Sequence, residues 1–298
     1  FQALLSPGNR FVLEDHALFY VPSLSVLREI RAKEGDADVA GRNASQDKET
    51  ANNNSDVLLA IANPDLAGRL SGPARGDSQY APLPEQERLV RTLAQIYGPG
   101  NSTVLTGKAA QEETVKAIAG KYQILHFATH AILDDADPLY SGLLLSSASK
   151  DEDGFLEARE IVEMELHSEV AVLSACETAL GKVHQGEGVM GMSWALFVAG
   201  TPTTVVSQWR VDSAGTAKLM IAFHRALWTA MTERREPPAK TAVLLHPIRS
   251  YRLVKSRKDE VEINKAQVLR QAALMLMHQP KYAHPFYWAA FVVVGDGF

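Results

Sequence analysis

Two side chains in this sequence can do covalent chemistry together, Cys176 and His130. A thiol attacks a carbonyl only as its thiolate, and a free cysteine, with a pKa of about 8.5, is mostly protonated at neutral pH. A neighbouring imidazole can take that proton and later return it to a leaving amine. Such a pair needs contact in space, not in sequence, and a strand and a helix are predicted between these two. Each alone has a blander reading. A free cysteine is most often a small buried hydrophobe, and a loop histidine is most often satisfied by backbone groups. Both residues, however, fall where a predicted strand ends, each followed by irregular sequence, and that coincidence favours the chemical reading. Cys176 is the only cysteine. That excludes an internal disulfide and suits a reducing, cytoplasmic setting.

The surrounding segments explain how such ends arise. The runs VLLAIANP, STVLTG, YQILHFATH, GLLLSS, EVAVLSAC, TTVVSQW and FVVVG are short and apolar, as buried strands are. Helical spacing lies between them, as in Leu89, Leu93 and Ile96 before Gly98-Pro99, and over Gly188–Ala199, Ala214–Trp228 and Ala266–Met277. At the start, Phe19, Tyr20 and Val21 favour a strand, Pro22 ends it, and Ser23 can cap a helix carrying Leu24, Leu27 and Ile30. This alternation predicts an α/β fold, a mostly parallel sheet with helices on both faces. In such sheets function collects at the carboxyl ends of the strands. The polar stretch at about 35–55 reads as a loop, and the charged stretch at about 233–262 as an insertion within a single domain spanning 1–298.

Bulk properties exclude several classes. Of 298 residues, 46% are hydrophobic, enough for one sizeable core, and the net charge is −5. No basic excess calls for nucleic acid or an anionic membrane surface. No apolar run reaches the length of a transmembrane helix, and no signal peptide is visible. The chain opens on Phe1 rather than Met, which reads as a cut within a longer protein.

Two other motifs compete with the thiol reading. Gly186–Gly191, GEGVMG, matches the glycine pattern of a dinucleotide site and is followed by Asp212. In that motif the glycines turn directly out of the first strand, whereas here Cys176–Gln185 intervene, so the glycines are expected to shape a loop beside the nucleophile. HFATH spaces two histidines as a zinc-binding helix does, but Phe127 stands where the general base belongs and the segment reads as a strand. No metal and no cofactor is expected. His126, inside that strand, reads as structural.

With these residues in place, the sequence closely resembles the CHAT domain family, caspase-like domains often joined to TPR repeats. The resemblance rests on ILHFATHAILDDADPLYSGLLLSS, on VAVLSACETALGKVHQGEGVMGMSWALFVAGTPTTVVSQWRVDSAGTAKLM and on YAHPFYWAAFVVVGD, with VLEDHALFYVPSLSVL and LLAIANPDL fitting as well. It implies the three-layer caspase–haemoglobinase fold, with the first strands of the domain upstream of Phe1. It also implies a layout similar to caspases, separases and gingipains, with His130 as catalytic histidine and Cys176 as catalytic cysteine. The backbone N–H groups of Ala131 and Cys176 would form the oxyanion hole.

Two positions depart from the family pattern. Relatives carry Gly where this chain has Ala131, and alanine serves there unless the turn needs positive φ. Relatives often carry two acids after the QWR segment. Here Asp212 remains and Ser213 replaces the second. The resemblance implies that an acid in this region holds a basic substrate side chain, so Asp212 supports cleavage after Arg or Lys while the loss of the second acid weighs against it. Capping the following helix is the alternative role for Asp212. Glu177 and Trp209 are the remaining candidate substrate contacts, with hydrogen bonding and core packing as their plainer roles. Asp134, Asp135 and Asp137 read as a solvated turn.

The function expected is thiol-dependent endopeptidase activity on a protein or peptide substrate, governed by upstream TPR repeats or a regulatory protein. The alternative is a non-catalytic caspase-like scaffold, since fold does not fix activity.

Overall fold

The computed structural model describes residues 1–32, 56–66, 80–147, 152–174, 187–209, 212–235 and 263–298. The expected polar loop lies outside them, as does the expected insertion beyond Arg235.

The strands are β1 (Phe19–Tyr20), β2 (Leu58–Pro64), β3 (Ser102–Gly107), β4 (Ile124–Ala128), β5 (Ala131–Ile132), β6 (Gly142–Leu144), β7 (Phe155–Glu157), β8 (Val170–Leu173), β9 (Thr203–Ser207) and β10 (Phe291–Gly295). Among the described residues, eight strands form where the sequence predicts them, and two short ones, β5 and β7, are additions that no apolar run announces. Seven of the strands make the main sheet, in the order β1-β10-β9-β8-β4-β2-β3. Its neighbours run parallel except β10 and β9, which are antiparallel. GLLLSS departs from the expected alternation. Its strand, β6, leaves the main sheet and pairs antiparallel with β5 and β7 in a small second sheet.

Two apolar clusters sandwich the main sheet, and the pleat divides the strand residues between them. Leu58, Ala60, Ile124, Val170, Val172 and Val205 face one side. Leu59, Ile61, Leu125, Phe127, Ala171 and Val206 face the other. After α1 (Val12–Asp15) and α2, the helix that begins at residue 24, the first side is covered by α3 (Pro84–Tyr97), α7 (Ser213–Arg235) and α8 (Lys265–Met277). The second is covered by α4 (Glu112–Ile118), α5 (Ala158–Ile161), α6 (Glu187–Ala199) and the small sheet. The result is the expected three layers.

Local chemistry sets the ends of these helices. Pro84 opens α3 at its first turn, and Gly98, at φ 88°, closes it in a conformation that suits glycine. Ser23 caps the helix that begins at residue 24, its Oγ accepting the Val26 amide at 3.2 Å. α7 extends through Arg235, past the expected end at Trp228. Two glycines of the GEGVMG motif, Gly188 and Gly191, lie inside α6 and do not shape a loop. A Cβ on Gly191 would meet the Cβ of Pro138 at 2.6 Å, so this glycine lets α6 close onto the turn around Pro138–Tyr140.

Candidate active site

Every residue of β4 is buried. Two residues past its end, His130 remains buried, at 6% exposure. Its ring Nε2 lies 2.8 Å from the carbonyl oxygen of Ala81. A carbonyl only accepts, so Nε2 carries the proton, and in the neutral ring Nδ1 is the basic nitrogen. The Tyr80 ring packs beside the imidazole, with centroids 5.4 Å apart.

Asn63, at the bulged end of β2, holds this acceptor segment in place. It adopts a left-handed φ of 45°, which Asn tolerates better than most residues. From there its Oδ1 accepts the Leu83 amide at 2.7 Å, and its Nδ2 donates to Glu87 at 3.0 Å. Asn63, Asp65, Tyr80, Ala81, Lys108 and His130 line a cleft of about 490 Å³ at the carboxyl ends of β2 and β3.

The next residue, Ala131, pairs with Leu143 across the small sheet. The bond beside that pair runs from the Leu144 amide to the His130 carbonyl, at 2.8 Å. In an antiparallel ladder this arrangement turns Ala131's own N–H away from β6. Among the described residues with side chains larger than glycine's, positive φ occurs at Asn9 and Asn63. Ala131 therefore replaces Gly without backbone strain.

On the neighbouring strand, the described residues end at Ser174. Its amide donates to the Phe127 carbonyl at 2.9 Å, extending the β4–β8 ladder by one bond. Cys176 and Glu177 lie outside the described residues. Asp212 is exposed and caps α7, its Oδ2 accepting the Gly215 amide at 3.0 Å. Trp209 is half-buried against the first apolar cluster, and its indole N–H donates to the Phe286 carbonyl at 3.1 Å. Asp134 makes a turn by accepting the amides of Ala136 and Asp137.

Of the described groups, three carboxylates lie close enough to share a cation: Glu112, Glu152 and Glu160. The Lys116 ammonium sits among them, at 2.7, 2.7 and 2.9 Å. HFATH is a strand and a turn rather than a helix, and its two histidines diverge. His126 enters the first apolar side, where it contacts His224, while His130 reaches the cleft. Sequence reasoning did not find Ala81, Asn63, Tyr97 or His224. The first acts through a carbonyl, and the last two sit within ordinary amphipathic helices.

A family model for the CHAT domain matches residues 1–247. The chain belongs to the CHAT domain family. This CHAT domain is similar to human tetratricopeptide repeat protein 28, at 19% identity over 98% of the chain and 11% of that protein. It thus spans about a tenth of the curated relative it matches. Among solved structures it is similar to the separase of the Saccharomyces cerevisiae separase–securin complex. There the identity is 13% and the TM-score 0.47, covering 95% of this chain and 14% of that one. It is also similar to the Arg-specific cysteine proteinase gingipain R, at 11% identity and TM-score 0.41, covering 81% of this chain and 46% of that one. No helix among the described residues is long and apolar enough to cross a membrane.

Proposed function

We propose that this CHAT domain is a cysteine endopeptidase in which His130 is the base for Cys176. The observation that supports this most is the contact between His130 Nε2 and the Ala81 carbonyl, which makes Nδ1 the basic nitrogen of a ring that lines the cleft. Cys176 follows two residues after Ser174, which is bonded to β4. Chain geometry limits its Cα to about 7 Å from that of Ser174.

In the proposed reaction, Nδ1 takes the thiol proton and the thiolate adds to the substrate carbonyl carbon. The N–H groups of Ala131 and Cys176 hold the resulting oxyanion, each worth about 10²–10³ in rate. As the C–N bond breaks, His130 gives its proton to the leaving amine. Water, deprotonated by the same nitrogen, then releases the acyl group and restores the thiol. The peptide lies extended across the strand ends, in reach of Glu177 and Trp209. Asp212 gives a preference for Arg or Lys before the cut. TPR repeats elsewhere in the parent protein govern access, a reading supported by the name of the human relative.

The test incubates the longest available chain carrying this domain, as wild type, Cys176→Ala and Asp212→Asn, with a diverse peptide library read by mass spectrometry. Cuts that vanish in Cys176→Ala are expected. Asp212→Asn keeps an equally good helix cap and is expected to lose selectivity for basic residues without unfolding. A wild type that makes no Cys176-dependent cut, with or without TPR partners, would establish the scaffold reading instead.

A further inference from the structure

Behind the sheet, on the side away from the small second sheet, four side chains form one continuous chain of hydrogen bonds. Ser174 Oγ lies 3.0 Å from His126 Nε2. His126 Nδ1 lies 2.9 Å from His224 Nε2. His224 Nδ1 lies 2.9 Å from the Tyr97 hydroxyl. The four residues come from the end of β8, from β4, from α7 and from α3, and each is at most 1% exposed.

Sealed from water, this chain must satisfy its donors and acceptors internally. Burial holds both imidazoles neutral, pushing His126 down to about 3 and His224 well below its usual value. Each ring therefore has one N–H and one acceptor nitrogen. Two proton arrangements fit. In one, Ser174 donates to His126, His126 to His224, and His224 to Tyr97, whose hydroxyl turns to the His224 carbonyl at 3.5 Å. In the other, every bond reverses, and Ser174 donates to the Phe127 carbonyl at 3.3 Å. Both arrangements hold the same four protons. The orientation of the Ser174 hydroxyl is thus coupled, bond by bond, to that of Tyr97 on a helix behind the sheet.

Ser174 is also where β8 makes its last described bond to β4, and Cys176 follows two residues later. The same strand β4 leads to His130. We propose that Tyr97, His224, His126 and Ser174 are positioning residues for Cys176, pinning the end of β8, two residues before it in sequence, against the strand that carries the base. This rests on the cysteine peptidase reading above. The four residues touch no substrate. They act by fixing the separation of thiol and imidazole, and so the stability of the thiolate.

The test uses the whole chain, with iodoacetamide as probe. Cys176 is the only cysteine, so the alkylation rate reports it alone and needs no substrate. Rates are followed across the thiol titration, whose midpoint is about 8.5 for an unassisted cysteine. The wild type is expected to titrate below that value, and His130→Ala to return it there. Ser174→Ala, and the nearly isosteric Tyr97→Phe, are expected to raise the midpoint by roughly one unit and slow alkylation at neutral pH roughly tenfold. Ser174→Thr, which keeps the hydroxyl, is expected to restore the wild-type profile. Circular dichroism and melting follow the fold of each variant. If Ser174→Ala and Tyr97→Phe keep the wild-type profile while His130→Ala shifts it, the positioning role is overturned and the dyad stands. A Ser174→Thr profile matching Ser174→Ala also overturns it. If His130→Ala leaves the profile unmoved, the dyad fails and this inference fails with it.

Discussion

The imidazole of His130 donates through Nε2 to the Ala81 carbonyl, 2.8 Å away, and this bond selects the ring nitrogen that can act as base. Ala81 contributes no side-chain chemistry. Its carbonyl is placed by the loop that Asn63 anchors at Leu83, so control of the base passes from the end of β2, through a backbone segment, to the ring.

Asn63 should therefore matter twice. Asn63→Gly keeps the left-handed backbone but loses both side-chain bonds, which costs about 1–2 kcal/mol. Asn63→Ala adds backbone strain, for a total of about 2–4 kcal/mol. Both variants are expected to reduce Cys176-dependent peptide cleavage by a similar factor, about tenfold, because both release the loop. Denaturant unfolding and cleavage rates check this. Equal stabilities, or wild-type cleavage in Asn63→Gly, would count against it.

Acid should destabilise the fold through the two buried histidines. Their folded pKa values are depressed, so the unfolded chain takes up protons first. No penalty exists above about pH 6.5, where both states are neutral. Below it, each histidine removes about 1.4 kcal/mol per pH unit until the folded value is reached, about 3 for His126. Urea midpoints measured between about pH 6.5 and 5, above most carboxylate titration, isolate this effect. A flat profile there would show that the pair is not buried and neutral.

Lys116 holds together a cluster that would otherwise be three carboxylates. Glu112, 1% exposed, is raised by burial, and Lys116 is raised by its three partners. Lys116→Met is expected to cost about 3–5 kcal/mol at neutral pH. With the cation gone, the folded carboxylates bind protons more readily than the unfolded ones. The deficit should thus shrink as pH falls from neutral into the acid range. Melting temperatures of wild type and variant, compared across that range, decide it.

Gly191→Ala places a methyl group against Pro138 at a distance that real contacts do not show. The helix must shift, at a cost of about 1–3 kcal/mol. An unchanged melting temperature would mean that α6 and the Pro138 turn are not packed as described.

The main sheet was legible because its strands are short apolar runs with turn residues between them, and because caps such as Ser23 and Gly98 act locally. GLLLSS was assigned to the wrong sheet. Its residues announce a strand, yet nothing in three apolar residues says which partner they will choose. GEGVMG was misread for a related reason, since a glycine admitting a neighbour's side chain looks the same in sequence as one that bends a loop. The position of His130 just past a strand was legible from the apolar run before it. The Ala81 carbonyl and the Tyr97–His224–His126–Ser174 chain were not, because they depend on segments brought together from distant parts of the chain.

One pairing also sets an order of events. β10 lies between β1 and β9, so residues from the two extremes of the chain, Phe19 and Val293, are neighbours in the sheet. Gln2 donates to the Phe291 carbonyl, and Arg270 donates to the Leu13 carbonyl. On a ribosome, β1 emerges before the other strands of this sheet and waits for β10, which follows all of them, while β9 keeps an open apolar edge. Closing so long a loop is slow. The nascent chain therefore carries Cys176 well before the sheet that includes β10 can be completed.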